Sequence, residues 1–331
     1  QGELKGKNVL YAAHTLEETA EKFEKNAAEI EQILDESKKI LLLERTKRAR
    51  PHLDDKVLTD WNGLMISSLA FGSRVLNEPR YAEAAKKSAD FLLSTMKTKD
   101  KRLMHRFRDG EVSVKGFLED YAFFIHGLID LYEATFDPHY LEEAKFLAEE
   151  MIRLFWDEKD GGFFFTAHDA EKLISRTKEI HDGAIPSGNS IAVLSLLRLS
   201  HLTMNREFET KARASMDAFS SQLAQYPSGF AQMMIALDFA LGPAREIVIA
   251  GREGDETVAE MVREIYASFL PTKVVLFHPS GGKAAQKIES LSPFIENQMA
   301  LNGKTTVYVC QNYVCQLPVK EVYELKSLLD R

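Results

Sequence analysis

Cysteine is nearly absent from this chain of 331 residues: only Cys310 and Cys315 occur. Their four-residue gap is not the two-residue gap of a dithiol redox pair, and no nearby histidine completes a zinc set, so two reduced structural thiols and no metal site are expected. No apolar run approaches the ~20 residues of a membrane span, and the first residues lack the apolar core of a signal peptide. A cytoplasmic chain without membrane contact is the expectation. Excess positive charge is also missing: the net charge of −8 argues against nucleic acid as a partner. Glycines at nucleotide-loop spacing are absent too. Gly251-Arg252-Glu253-Gly254-Asp255 reads as a plain turn, and no cofactor is expected.

What is present suits a globular protein with a sizeable core, since 45% of residues are apolar and 28% charged. The length favours one large domain plus a smaller one. The chain opens on Gln1-Gly2 without Met and is read as a piece of a longer protein. Residues 16 to 48 hold no Gly or Pro and predict one long helix or two short ones.

A polar loop, Arg50-Pro51-His52-Leu53-Asp54-Asp55-Lys56, then leads into a helix ending near Leu76, with Thr59 or Asp60 as its cap. A return helix spans about Arg80 to Met96. Next come a β-hairpin turning at Asp109-Gly110, a helix from Gly116 to about Phe136, and a return from Tyr140 to Phe155. A short β element is expected over Gly161 to Thr166 and Leu173 to Arg176. The third copy starts at His181-Asp182-Gly183 and reaches His201, returning from Arg206 to Leu223. A fourth start follows at Tyr226-Pro227-Ser228-Gly229-Phe230. Tyr81, Tyr140 and Phe208 mark the repeat of about 60 to 70 residues.

The first helix of each pair is the more apolar, and a helix apolar nearly all round is buried, whereas the returns carry a charged face. Inner helices running one way and outer helices returning make a mainly α fold, an α/α helical-hairpin toroid, here a partial six-hairpin barrel over residues 1–242. From 243 to 331 the pattern becomes strand, helix, strand, strand, a small C-terminal α/β unit packed on the toroid. All inner-helix starts would then share one rim.

The chain resembles the C-terminal portion of the thioredoxin-domain-containing, spermatogenesis-associated family. The resemblance rests on Arg50 to Lys56, Trp61-Asn62-Gly63-Leu64-Met65, Phe117-Leu118-Glu119-Asp120-Tyr121-Ala122, Gly161-Gly162-Phe163-Phe164 and Asp182 to Ser190, with Cys310 to Pro318 also similar. It implies an N-terminal thioredoxin-like domain, as a possible partner, and a six-hairpin toroid similar to N-acylglucosamine 2-epimerases and six-hairpin glycosidases. The chain departs from that plan: it has no Cys-x-x-Cys segment and shows about four hairpins instead of six.

At the rim, glycoside hydrolysis would need a carboxylic acid and a second carboxylate, and Asp54, Asp55, Glu119, Asp120 and Asp182 are the candidates. Carboxylates before helices are equally ordinary caps and dipole partners. Sugar epimerisation would need a base and an acid on opposite faces, and His52, His105 and His181 lie in rim loops. Trp61 and Tyr121 suit either stacking on a sugar or packing. Arg50, His52, Lys56, Asn62, Arg176, Ser187 and Asn189 complete the candidate binding residues. Two functions fit: a carbohydrate-active or carbohydrate-binding domain, as a sugar epimerase, isomerase or glycoside hydrolase, or a non-catalytic scaffold or interaction module of a larger protein.

Overall fold

A computed structural model describes residues 9, 11–171, 174–311 and 314–330. Two compact units are present, Gln1–Asp55 and Lys56–Arg331. In the first, the Gly- and Pro-free stretch forms two helices, α1 (Leu16–Lys22) and α2 (Ala27–Thr46). Thr15 and Asn26 cap them by accepting the N–H groups of Glu18 and Glu29.

The second unit begins with β1 (Val57–Leu58), α3 (Thr59–Leu76), α4 (Pro79–Thr95), β2 (Met104–Arg108), β3 (Glu111–Lys115), α5 (Leu118–Thr135) and α6 (Pro138–Phe155). It continues with α7 (Gly188–Thr203), α8 (Arg206–Gln225) and α9 (Ala231–Leu241). Each hairpin turns in the same way. Asn77, Phe136 and Met204 adopt left-handed backbone at the ends of α3, α5 and α7. Glu78, Asp137 and Asn205 then precede the outer helices, two of which open on Pro79 and Pro138, whose fixed φ suits a first helical turn.

The inner helices pack in chain order, α3 on α5, α5 on α7 and α7 on α9. Glycine sets how close the first pair comes. A Cβ at Gly63 would lie 2.5 Å from the backbone carbon of Phe123, and one at Gly127 would lie 2.6 Å from the carbonyl oxygen of Gly63. α5 and α7 are buried nearly all round, as their composition predicts. α3 and α9 are not. Trp61, Met65, Phe71, Val75 and Leu76 on α3, and Ile235 and Leu241 on α9, stand exposed, because these two helices have a hairpin neighbour on one side of the row only.

The C-terminal part holds β4 (Arg245–Gly251), α10 (Glu256–Ala267), β5 (Lys273–Pro279), α11 (Gly282–Leu291), β6 (Thr306–Gln311), β7 (Val314–Cys315) and α12 (Val322–Leu329). Sheet order is β5-β4-β6-β7, with β4 and β5 parallel and the other pairs antiparallel. Period-two alternation divides its residues between two cores. Val248, Ala250, Val274, Leu276 and Tyr308 join the hairpin core, while Ile247, Ile249, Val275, Phe277, Val307 and Val309 pack with Met261, Ile265 and Leu325 of α10 and α12.

Three local expectations are corrected. The segment from Gly161 is irregular, with one isolated bridge between Trp156 and Phe163 in place of a strand, and Leu173 lies outside the described residues. Residues 161 and 162 both need positive φ, which a regular strand does not allow. Cys310 and Cys315 are not free thiols but a disulfide, because the antiparallel pairing of β6 with β7 sets them directly opposite one another. Finally, the residue before α3 is Leu58, which makes no side-chain cap. Thr59 instead donates its hydroxyl to the Met104 carbonyl at 2.6 Å, tying α3 to β2.

Candidate functional site

The close approach of α3 and α5 brings their first turns together, and β2 lays His105 beside them. Asp120, fully buried, accepts the backbone N–H groups of Asp60 at 3.1 Å and Phe117 at 2.8 Å. Its carboxylate also lies 3.0 and 3.1 Å from Nδ1 of His105. One side chain thus fixes two helix starts and an imidazole. Asp60 is buried too and accepts the Trp61 N–H at 2.8 Å. Ligand atoms of Asp60, His105 and Asp120 all lie within 4.8 Å of one another. Phe117, edge-on to His105 at 5.3 Å and stacked on Phe165 at 4.9 Å, backs the ring.

Glu119 completes the group. Gly188, the first residue of α7, packs against it: a Cβ there would meet Cγ of Glu119 at 3.1 Å and Cγ of Leu118 at 3.0 Å. Burial, and then the negative charges of Asp60, Glu179 and Asp120, push the Glu119 carboxyl up to about 7. Asp60 is raised for the same reasons, burial first and Asp120 second. His105 moves the other way in charge terms. Its hydrogen bond to Asp120 favours the imidazolium and lifts it above the ordinary histidine value, despite its burial. Carboxyl and imidazole groups so perturbed within one cluster are the usual mark of proton-transfer sites. The three residues Asp60, His105 and Asp120 are also of the types that bind a cation, but Asp120 and Nδ1 of His105 already satisfy one another.

The remaining predicted residues divide by environment. Arg50, His52, Asp54 and Asp55 are exposed and belong to the first unit. Lys56 is exposed at the start of the second unit. Trp61, 61% exposed, stands next to Asp60 with surface to offer a ligand. Asn62 instead braces α3 against α4, donating to the Leu58 carbonyl at 2.8 Å and accepting from the Ser88 hydroxyl at 3.1 Å. Tyr121 is fully buried, its hydroxyl accepting the Leu103 N–H at 3.0 Å, so packing and not stacking on a ligand is its role.

Asp182 is a helix-start ligand. Its carboxylate accepts the N–H groups of Ser187 at 2.9 Å and Gln232 at 2.8 Å, joining the entries of α7 and α9. Ser187 caps α7 through the Ser190 N–H at 3.1 Å. Asn189, fully buried, clamps the Phe163 N–H and carbonyl and the Glu179 carbonyl at 2.8 to 2.9 Å. Arg176 bonds the Thr166 carbonyl and lies 4.0 Å over the Phe164 ring. The carboxylates at the three entries therefore hold different tasks, and those of α3 and α5 converge.

Asp60 and Glu179 were not among the sequence candidates for chemistry. Asp60 stands in the sequence only as one of two residues able to cap the predicted inner helix, a reading that needs no chemistry. His105 is 15 residues from Asp120 in the chain, and nothing local in sequence pairs them.

The fold and this cluster define a helical-hairpin arc of toroid type with an acid–base group where two inner helices begin. No protein-family model matches the chain. It is similar to human spermatogenesis-associated protein 20, 34% identical over 339 aligned positions that cover 99% of the chain and 43% of the human protein. The rat protein of the same name is 32% identical, again over 99% of the chain and 43% of the relative. The family resemblance carried by the motifs thus holds along nearly the whole sequence, and the chain spans less than half the length of the curated relatives it matches. Among solved structures, the cellobiose 2-epimerase of Bacillus thermoamylovorans matches with a TM-score of 0.45 and 14% identity, over 81% of this chain and 68% of that one. A GH76 α-mannanase of Bacteroides thetaiotaomicron matches with a TM-score of 0.44 and 18% identity, over 66% and 59%. These likenesses are loose and say nothing of this site's chemistry. Among the described residues no helix is long and apolar enough to cross a membrane.

Proposed function

We propose that the domain is carbohydrate-active, performing proton transfer on a sugar or sugar derivative at the cluster of Asp60, His105, Glu119 and Asp120. The observation that carries this reading is the pairing of a carboxyl raised to about 7 with a histidine oriented by a buried aspartate. Glu119 is the acid, holding its proton near neutral pH where an ordinary glutamate has lost it. His105 accepts or returns a proton, with Asp120 fixing its ring. Exposed Trp61 offers a stacking face for a sugar ring.

The test is incubation with mannose, N-acetylglucosamine and cellobiose in deuterated water, followed by proton NMR, alongside release of nitrophenol from 4-nitrophenyl glycosides. Deuterium entering at the carbon beside the anomeric centre identifies an epimerase or isomerase; nitrophenol release identifies a glycosidase. Either activity must fall at least a hundredfold in Glu119→Gln and His105→Ala. Absence of both activities, with no sugar altering the melting temperature, would defeat the proposal.

A second reading, as an interaction module of a larger protein, is favoured by the exposed apolar side chains along α3. Under it, Trp61 and Met65 substitutions to serine would abolish partner binding while the rim cluster could be altered without consequence.

A further inference from the structure

At the opposite end of the inner helices lies a second polar centre. Asp130 and Glu133 of α5 face Arg74 of α3 and Arg198 of α7, all four side chains less than 10% exposed. Arg74 bonds Asp130 at 3.0 Å and also Glu133, while Arg198 bonds Asp130 at 2.9 Å and lies 3.2 Å from Glu133. Tyr266 of α10 accepts from Arg74 at 3.1 Å, and Glu133 accepts the Val275 N–H of β5 at 3.3 Å. This network fastens the hairpin layer to the sheet layer.

It also borders a cavity of about 350 Å³, within the range of small-molecule sites. The polar lining is not balanced. Three cations, Arg74, Arg198 and Lys273, meet two carboxylates, and burial lowers His126 so that its imidazole stays neutral. Asp130 is held well below the usual carboxylate range, its burial outweighed by the adjoining Arg198 and Arg74 guanidinium groups and the Ser67 hydroxyl. An excess of one positive charge remains. Donors are left over as well. Nε of Arg74 is buried without a hydrogen-bond partner, and Lys273 donates one N–H of its ammonium to the Leu270 carbonyl at 3.0 Å. A buried polar atom without a partner is costly, so Arg74 Nε and the remaining N–H groups of Lys273 favour an acceptor in the cavity. Ser67 and Ser68 also line the cavity, and Phe71, Leu194, Ile235 and Phe239 make its apolar wall.

We propose that this cavity binds a small organic monoanion, a carboxylate with an apolar body, whose charge meets Lys273 and Arg74 while its body lies against Phe71 and Phe239. A monoanion matches the single excess charge; the dianion of a phosphate ester would overshoot it and gain little from the apolar wall. Arg74 is fourteen residues from Asp60 along α3, about 20 Å at the rise of a helix, so this site is separate from the rim cluster.

The whole chain is melted at pH 7 in phosphate-free buffer of constant ionic strength, with sodium benzoate, neutral benzamide or inorganic phosphate added. Benzoate at ten times its Kd should raise the melting temperature by about 3 °C and benzamide should not. Lys273→Ala should lose the benzoate effect, and Lys273→Arg should keep it. In labelled wild-type protein benzoate should also move the His126 ring resonances, a readout that does not depend on any variant folding. The proposal is overturned if benzoate and benzamide act alike, if Lys273→Ala responds as the wild type does, or if phosphate alone binds.

Discussion

Replacing Glu119 with glutamine should make the protein more stable at pH 8 and leave it unchanged at pH 4. The sign follows from linkage. In the unfolded chain Glu119 titrates at the ordinary value of 4.5, and in the fold at about 7. Below 4.5 both states are protonated and the carboxyl costs nothing. As pH rises from 4.5 to 7 the unfolded chain releases its proton while the folded one keeps it, so stability falls, and above 7 the loss is complete. A shift of this size corresponds to about 3 kcal/mol, which partial exposure of the side chain reduces to about 2 kcal/mol. Glutamine preserves the shape and removes the titration. For a unit of this size about 2 kcal/mol raises the melting temperature by about 4–8 °C. Thermal and urea melts of wild type and Glu119→Gln at pH 4, 6 and 8 measure the difference directly. A gap that widens with pH, together with loss of activity, is the expected outcome, since a site that holds an unfavourable charge for chemistry gains stability when that charge is removed. A variant equally stable at pH 8, or less stable, would refute the account of Glu119 as a carboxyl kept protonated by burial and by Asp60.

Three other perturbations probe the same architecture. Asp120→Asn removes the partner that favours the His105 imidazolium, so the His105 titration followed by NMR should move down toward the ordinary histidine value; an unmoved curve would break the pairing. Arg198→Met leaves Asp130 and Glu133 short of a buried cation and should cost about 3–5 kcal/mol in urea unfolding. A cost under about 1 kcal/mol would mean the network is dispensable. Gly63→Ala must push backbone apart where 2.5 Å is available, and should destabilise by about 2–4 kcal/mol or prevent soluble expression, whereas Gly72→Ala, with 3.7 Å to the Tyr81 ring, should fold normally.

How far the sequence alone reaches depends on which interactions are local. The hairpin repeat is legible because apolar periodicity, helix stops and the Pro79 and Pro138 entries are written within each segment, and the continuous apolar run of the strand at Ile247-Val248-Ile249-Ala250 is local in the same way. The exposed flank of α3 is not legible, because a helix of that composition is buried only if a neighbour exists on both sides. The site divides on the same principle. Glu119 and Asp120 are recognisable as acidic residues at a helix start, yet their roles differ entirely, one half-buried and kept protonated, the other buried and consumed in binding two N–H groups and an imidazole. That difference is created by Asp60, 60 residues from Asp120, and by glycines whose missing side chains let α3 and α5 meet. Gly63 therefore belongs to the chemistry as much as to the packing: a methyl group there would part the helices, loosening the burial of Glu119 and moving Asp60 away from it, the two largest causes that raise its carboxyl.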